Sequence, residues 1–129
     1  MPLNSMIPYF EPGDRVSGTA TTTIVGKTLI DISGNLASDN TFQFATCAAG
    51  AKAFGVAEYN AATGQWVGVL RHGIVPITCG AVALVAGVEV MSDANGCVVI
   101  WDTVIGHRPI GKCLNAANPA SDAMIALYV

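Results

Sequence analysis

The side chains able to do covalent or acid–base chemistry near neutral pH are few: Cys47, Cys79, Cys97 and Cys113, with His72 and His107 as the candidate bases. A nucleophile needs a base within hydrogen-bond reach, a third group to orient that base, and donors for the developing oxyanion. Cys113 follows His107 by six positions and Cys79 follows His72 by seven. On extended strands with a turn between, such spacings leave the pairing open. There is no G-x-S-x-G, no cysteine-protease motif and no helix start that would polarise a thiolate. Both histidines therefore read as ordinary turn or strand-end residues, and a hydrolase built on Cys113 or Cys79 is kept only as a rival.

The other chemical readings end the same way. Glu58, Glu89, Asp93, Asp102 and Asp122 fall at expected strand ends or turns, where a carboxylate caps free backbone donors and keeps sheet edges soluble. Nothing in their spacing predicts a glycosidase pair. "DANG" lacks the closing Glu of a calcium loop, and no glycine pattern matches a P-loop or dinucleotide fingerprint. The cysteines are far apart, with no CxxC and no Cys/His pair at zinc-ligand spacing. They read as small buried thiols of a reducing compartment, although four cysteines allow three disulfide connectivities. No catalytic residue, metal or cofactor is expected.

Composition narrows the partners. Only 12% of the 129 residues are charged and 52% are hydrophobic, against about 25% charged in ordinary soluble domains, so part of the surface is expected to be covered by a partner. The formal net charge is -3, and Arg15, Lys27, Lys52, Arg71, Arg108 and Lys112 are scattered singly. A phosphate-binding stripe needs clustered cations, which argues against nucleic acid. The longest charge-free stretch, residues 73 to 88, is shorter than the roughly 20 residues of a membrane span and is broken by Pro76, Gly80 and Gly87. No membrane association is expected. The N-terminus has no basic and apolar leader pattern, so the chain is expected to be made and kept inside a cell, or exported within something larger.

Length allows one domain, expected to have a single core. In residues 1–14, Pro2, Pro8 and Pro12 bracket the apolar cluster Met6, Ile7, Tyr9 and Phe10. Proline removes backbone donors, so this segment reads as an extended arm whose aromatic residues dock on the domain or on a neighbour. From Arg15 onward β-branched residues and glycines dominate, without a sustained helical period. Strands are expected over 15–19, 22–25, 28–33, 41–46, 53–58, 65–71, 74–79, 88–92, 97–101, 109–114 and 123–128, separated by turn formers. A hairpin closing at Asn95-Gly96 is the clearest local signal, and "GAVALVAG", residues 80–87, is the one place where a helical turn competes. Trp66 and Trp101, with Phe42, Phe44, Phe54 and Tyr128, sit in apolar strands and read as core. Many short strands imply an all-β, closed barrel or sandwich.

In order along the chain, "EPGDRVSGTATTTIVGKTLIDISG", "AKAFGVAEYNAATGQWVGVLRHGIVPITCGA", "AGVEVMSDANGCVV", "RPIGKCLNAA" and the terminal "DAMIALYV" resemble the capsid decoration, or capsid cement, proteins of tailed bacteriophages, in the form found in actinobacteriophages. The resemblance covers residues 11 to 129. It implies a non-enzymatic, β-tulip-like domain over 15–129 behind an arm over 1–14. Such a protein would be made in the host cytoplasm and bind the outer surface of the major capsid protein lattice of the virion, often as a homotrimer. The residues expected to touch the capsid or a neighbour are Met6, Ile7, Pro8, Tyr9 and Phe10 of the arm and the loop residues His107 and Arg108. The chain departs from the family pattern at Gly87-Val88-Glu89, where relatives place an acid directly after the glycine, and in having four cysteines. The main rival is another virion or cell-surface β-module, such as a tail or fibre domain or a carbohydrate binder using Trp66 or Trp101.

Overall fold

A computed structural model describes Asn4 and residues 14–128. Most of the expected arm, including Met6, Ile7, Pro8, Tyr9 and Phe10, lies outside the described residues. The rest is a single all-β domain with ten strands and no helix among the described residues: β1 (Arg15–Ala20), β2 (Leu29–Ile32), β3 (Phe42–Thr46), β4 (Gly55–Ala57), β5 (Trp66–Leu70), β6 (Ile74–Thr78), β7 (Glu89–Ser92), β8 (Val98–Ile100), β9 (Gly111–Cys113) and β10 (Asp122–Leu127).

The first five strands close a barrel in the order β1-β3-β2-β4-β5, with β5 returning to pair antiparallel with β1 from Arg15↔Leu70 to Thr19↔Trp66. Closure removes the bare edges that an open sheet would present. The parallel β1–β3 pairing starts at Gly18↔Phe42. A Cβ at Gly18 would lie 2.6 Å from both the Phe42 carbonyl oxygen and the Phe44 ring, so the barrel closes this tightly only because residue 18 lacks a side chain.

The last five strands form a sheet in the order β6-β10-β9-β7-β8, whose two ends meet at one isolated parallel bridge, Cys79↔Val98. That bridge gives this sheet the cyclic order of the barrel, and the two halves repeat one plan bond for bond. The antiparallel bridge Ile24↔Ala61 in the first half has its counterpart in Leu84↔Ala117. Lys27 N donates to Ala57 O as Gly87 N does to Cys113 O. Gly64 N donates to Ala20 O as Ala120 N does to Cys79 O. The turns match too: Lys27 and Gly87 share positive φ (61° and 93°), as do Gly64 and Ala120 (85° and 63°).

This repeat explains two departures from the sequence reading. The strand expected over 22–25 is instead a bend with a single bridge at Ile24, and 80–87 forms no helical turn but the equivalent bend around Leu84. Leu84 N donates to Ala117 O and Ala117 N to Leu84 O, at 2.9 and 3.0 Å. Bonded across the chain in this way, the Leu84 backbone groups are not free for a local turn of helix. The remaining expected strands are present, most of them shortened at their ends, while β1 runs one residue further, to Ala20, and β10 begins one residue earlier, at Asp122.

Burial also corrects the single core. Phe44, Ile24, Ile30, Val67 and Val69 fill the barrel, while Ile77, Leu84, Val90, Val98 and Ile125 centre a second cluster. Leu29, Cys47 and Val56 belong by sequence to the first half but pack into the second cluster, and this couples the halves. Backbone bonds from Leu29 N to Gly96 O (2.7 Å) and from Thr78 N to Lys27 O (2.8 Å) join them further.

Candidate interaction surface

The hairpin of β7 and β8 turns at Asp93–Gly96, where Asp93 Oδ1 accepts from Asn95 N and Cys97 N and Gly96 has φ 75°. β8 then delivers the chain to residues 101–110, a loop without regular structure but held at many points. Asp102 Oδ1 accepts from Val104 N at 3.0 Å, and His107 N donates to Val104 O at 3.0 Å. His107 Nδ1 lies 2.9 Å from both Asp102 oxygens, and the Trp101 indole Nε1 donates to His107 O at 3.2 Å. The bond from Val104 N, aided by His107, holds the Asp102 carboxyl below the usual carboxylate range. Its share of loop order is therefore present above the ordinary carboxylate pKa, and is lost only as pH falls through the lower folded value.

The braced turn presents Val104 and Ile105, and Ile105 is 100% exposed. The corresponding connection of the first half, between β3 and β4, contains Gly50, which has positive φ like Gly106. The two connections meet: Arg108 N donates to Gly50 O at 2.8 Å, and a Cβ on Gly50 would lie 2.4 Å from the His107 ring. His107 is consequently half-buried, because its ring packs on Gly50 and faces Asp102. Arg108 is exposed and makes no ion pair with another described residue.

Trp66 corrects the core expectation for the aromatics. It is 58% exposed at the start of β5, because its neighbour Val67 takes the inward position of the alternating strand. Phe44 is fully buried, Phe42, Phe54 and Trp101 are half-buried, and Tyr128 is largely exposed.

A second apolar surface emerges from comparing equivalent positions. Outside the barrel Arg15 Nε pairs with Glu58 Oε1 at 2.7 Å, and the Glu58 carboxylate lies over Gly68, where a Cβ would come within 2.8 Å of it. The same positions in the second half hold Ile74, Leu114 and Met124, exposed by 63%, 39% and 49%. One half thus closes this face with an ion pair, while the other leaves it apolar.

Nothing assembles a reactive centre among the described residues. All four cysteines are free. Cys47 Sγ donates to Ala51 O, Cys79 Sγ to Val82 O and Cys113 Sγ to Asn115 O, so the buried thiols cap backbone carbonyls. Burial pushes the Cys47, Cys79 and Cys97 thiols up. His72 faces Asp14 at 3.5 Å and His107 faces Asp102. No group of three His, Cys, Asp or Glu among the described residues could hold a metal ion. A partly open cavity between Phe54, Ile110 and Tyr128, about 30 Å³, has room for about one water.

The family model described as phage cement protein matches residues 10–128. The chain belongs to that family. It is accordingly a structural protein of the phage virion, associated with the capsid. Among solved structures, the chain is similar to the N-terminal base of the head fibre gp8.5 of bacteriophage phi29. The TM-score is 0.71 at 13% identity, over 88% of this chain and 92% of that one, a likeness of fold. No curated protein matches the chain.

The sequence picked out His107 and Arg108 within the 101–110 loop but passed over Val104 and Ile105. The signal was present: two consecutive β-branched apolar residues between Asp102 and Gly106, in a segment too punctuated to be a strand. Ile74, Leu114 and Met124 were concealed because each falls in an expected apolar strand and reads as core until the strand faces are known.

Proposed function

We propose that this cement protein binds the outer surface of the major capsid protein lattice and stabilises the expanded phage head. The observation that carries the reading is the braced turn that holds Ile105 wholly in solvent. A rigid turn spends little conformational entropy when its apolar tip enters a socket on a partner. His107 and Arg108 flank that tip, and Met6, Ile7, Pro8, Tyr9 and Phe10 are the arm residues that join it on the capsid. A strand donated by the arm to a capsid edge would gain main-chain bonds with little demand on side chains. The protein is made in the host cytoplasm and acts as a homotrimer, in which several modest contacts combine at high effective concentration.

Purified protein added to expanded heads that lack it tests this reading. The heads are expected to take up the protein in stoichiometric amounts and to withstand heat and chelator better. Failure to bind, with deletion virions as resistant as wild type, overturns the proposal. Exposed Trp66 favours one second reading, a glycan-binding module with the indole as platform. A glycan-dependent change in tryptophan fluorescence that Trp66→Ala abolishes would support that alternative.

A further inference from the structure

Asn95 and Gly96 form the one Asn-Gly pair of the chain, and such a pair has a covalent reaction open to it. Glycine has no Cβ to hold its backbone nitrogen away from the preceding side chain. Asn4, Asn35, Asn40, Asn60 and Asn115 are followed instead by Ser, Leu, Thr, Ala and Ala, and Asn118 by a proline, whose nitrogen carries no hydrogen. Asn95 is exposed, and its side-chain amide has no hydrogen-bond partner among the described residues. In the reaction, the Gly96 nitrogen gives its proton to solvent and attacks Asn95 Cγ. The new N–Cγ bond closes a succinimide ring, the Cγ–Nδ2 bond breaks, and ammonia leaves with a proton taken from water. Water then opens the ring at either carbonyl. One product is aspartate; the other is isoaspartate, whose backbone runs through the former side chain and is longer by one methylene.

The closed hairpin holds both reacting groups in place. Asp93 Oδ1 accepts from Asn95 N at 2.8 Å and from Cys97 N at 3.0 Å, and Gly96 N, the nucleophile, donates to Asp93 O at 3.2 Å. Gly96 is buried against the other half of the molecule. Its carbonyl accepts from Leu29 N at 2.7 Å, and a Cβ on it would meet Leu29 O at 2.6 Å and Thr28 Cβ at 3.2 Å. At the base of the same hairpin Ser92 O accepts from Gly50 N at 2.9 Å. The hairpin is thus latched to the first half at tip and base, with no slack at the tip for a longer backbone. We propose that Asn95-Gly96 is a deamidation site which the closed hairpin protects, and that conversion to isoaspartate in an opened hairpin unlatches the two halves irreversibly. The added methylene cannot satisfy the Asp93 bracket and the Leu29–Gly96 bond together, and the lost ammonia does not return. A copy that stays closed keeps its asparagine; one that opens long enough to react cannot rebuild the joint. The inference goes beyond the capsid reading and does not depend on it.

Full-length protein, free of heads, provides the test. It is incubated at mildly alkaline pH with and without enough urea to unfold it, and each asparagine is followed by peptide mass spectrometry with fragmentation that separates isoaspartate from aspartate. In urea Asn95 is expected to convert ahead of every other asparagine. Without urea its conversion is expected to be at least about tenfold slower, because the rate follows the fraction of hairpins that are open. After refolding, the isoaspartate chain is expected to unfold at a lower urea concentration than untreated protein. Asn95→Asp, which brings the charge without the methylene, and Asn95→Gln taken through the same incubation are both expected to keep the untreated midpoint. Conversion as fast in the folded protein as in urea, or first at another asparagine, overturns the proposal. So does an isoaspartate chain that regains the untreated midpoint, or an Asn95→Asp chain that loses as much as it.

Discussion

Ile105 and Gly50 shape the 101–110 turn at the scale of single residues, one by what it exposes and the other by what it lets approach. Replacing Ile105 with Asp removes the apolar tip and touches nothing else in the fold, so thermal stability is expected to stay within about 0.5 kcal/mol of wild type while affinity for expanded heads falls at least about tenfold, a loss of about 1.4 kcal/mol. A sedimentation assay on heads, paired with a melting curve, reads both. Gly50→Ala acts the other way. It places a Cβ against the His107 ring at a φ of 70°, and is expected to destabilise the protein by roughly 1–3 kcal/mol, measured by denaturant unfolding. The thiols give a third test. Because burial raises the folded pKa of Cys47, Cys79 and Cys97, iodoacetamide at neutral pH is expected to label all three more slowly than in unfolded chain. Their contribution to stability is whole below the ordinary thiol pKa and is lost as pH rises through the raised folded value. Rapid, stoichiometric alkylation of one thiol at neutral pH would instead revive a reactive cysteine.

Elements come in matched pairs, and the pairs make predictions that neither half makes alone. Ile24 and Leu84 each anchor a bend to the opposite connection through two backbone bonds, and each is 1% exposed. Ile24→Ala and Leu84→Ala are therefore expected to destabilise by similar amounts, about 2–5 kcal/mol each, in urea titrations. A large disparity would mean that the two halves are alike in hydrogen bonding but not in packing. Strand existence was largely legible in the sequence, because alternation and turn residues act locally: β7 and β8 follow from Val88 to Trp101 with Asn95-Gly96 between them. The repeat was not legible. "TTTIVGKTLI" and "AVALVAGVEV" share few residues, and what they share structurally is a pattern of backbone bonds, to which most side chains are indifferent. The bend at Ile24 was missed for the same reason, since a β-branched run reads as strand wherever its pairing partner is unseen.

For the whole molecule the question is whether two clusters mean two folding units. Leu29, Cys47 and Val56 bury themselves in the second cluster, so the halves share apolar surface and should lose it together. Unfolding is expected to be a single cooperative transition, with tryptophan fluorescence and far-ultraviolet dichroism giving coincident curves. Two separated transitions would show that the barrel stands without its partner half.

The sequence by itself determined the all-β class and most strands and turns, because composition, alternation and glycine placement are local properties of a chain, while the family was legible only as a resemblance carried by several motifs in order. Through low charge and singly scattered cations it also argued against nucleic acid as a partner. Tertiary structure alone decided which apolar residues face water. Trp66, Ile74, Met124 and Ile105 are as hydrophobic as their buried neighbours. Only strand register and barrel closure place Val67 inward and Trp66 outward, and only the brace from Asp102 to His107 holds Ile105 clear of the surface. A side chain's type sets what burial would gain, but the direction in which it points is fixed by pairings far away in the chain.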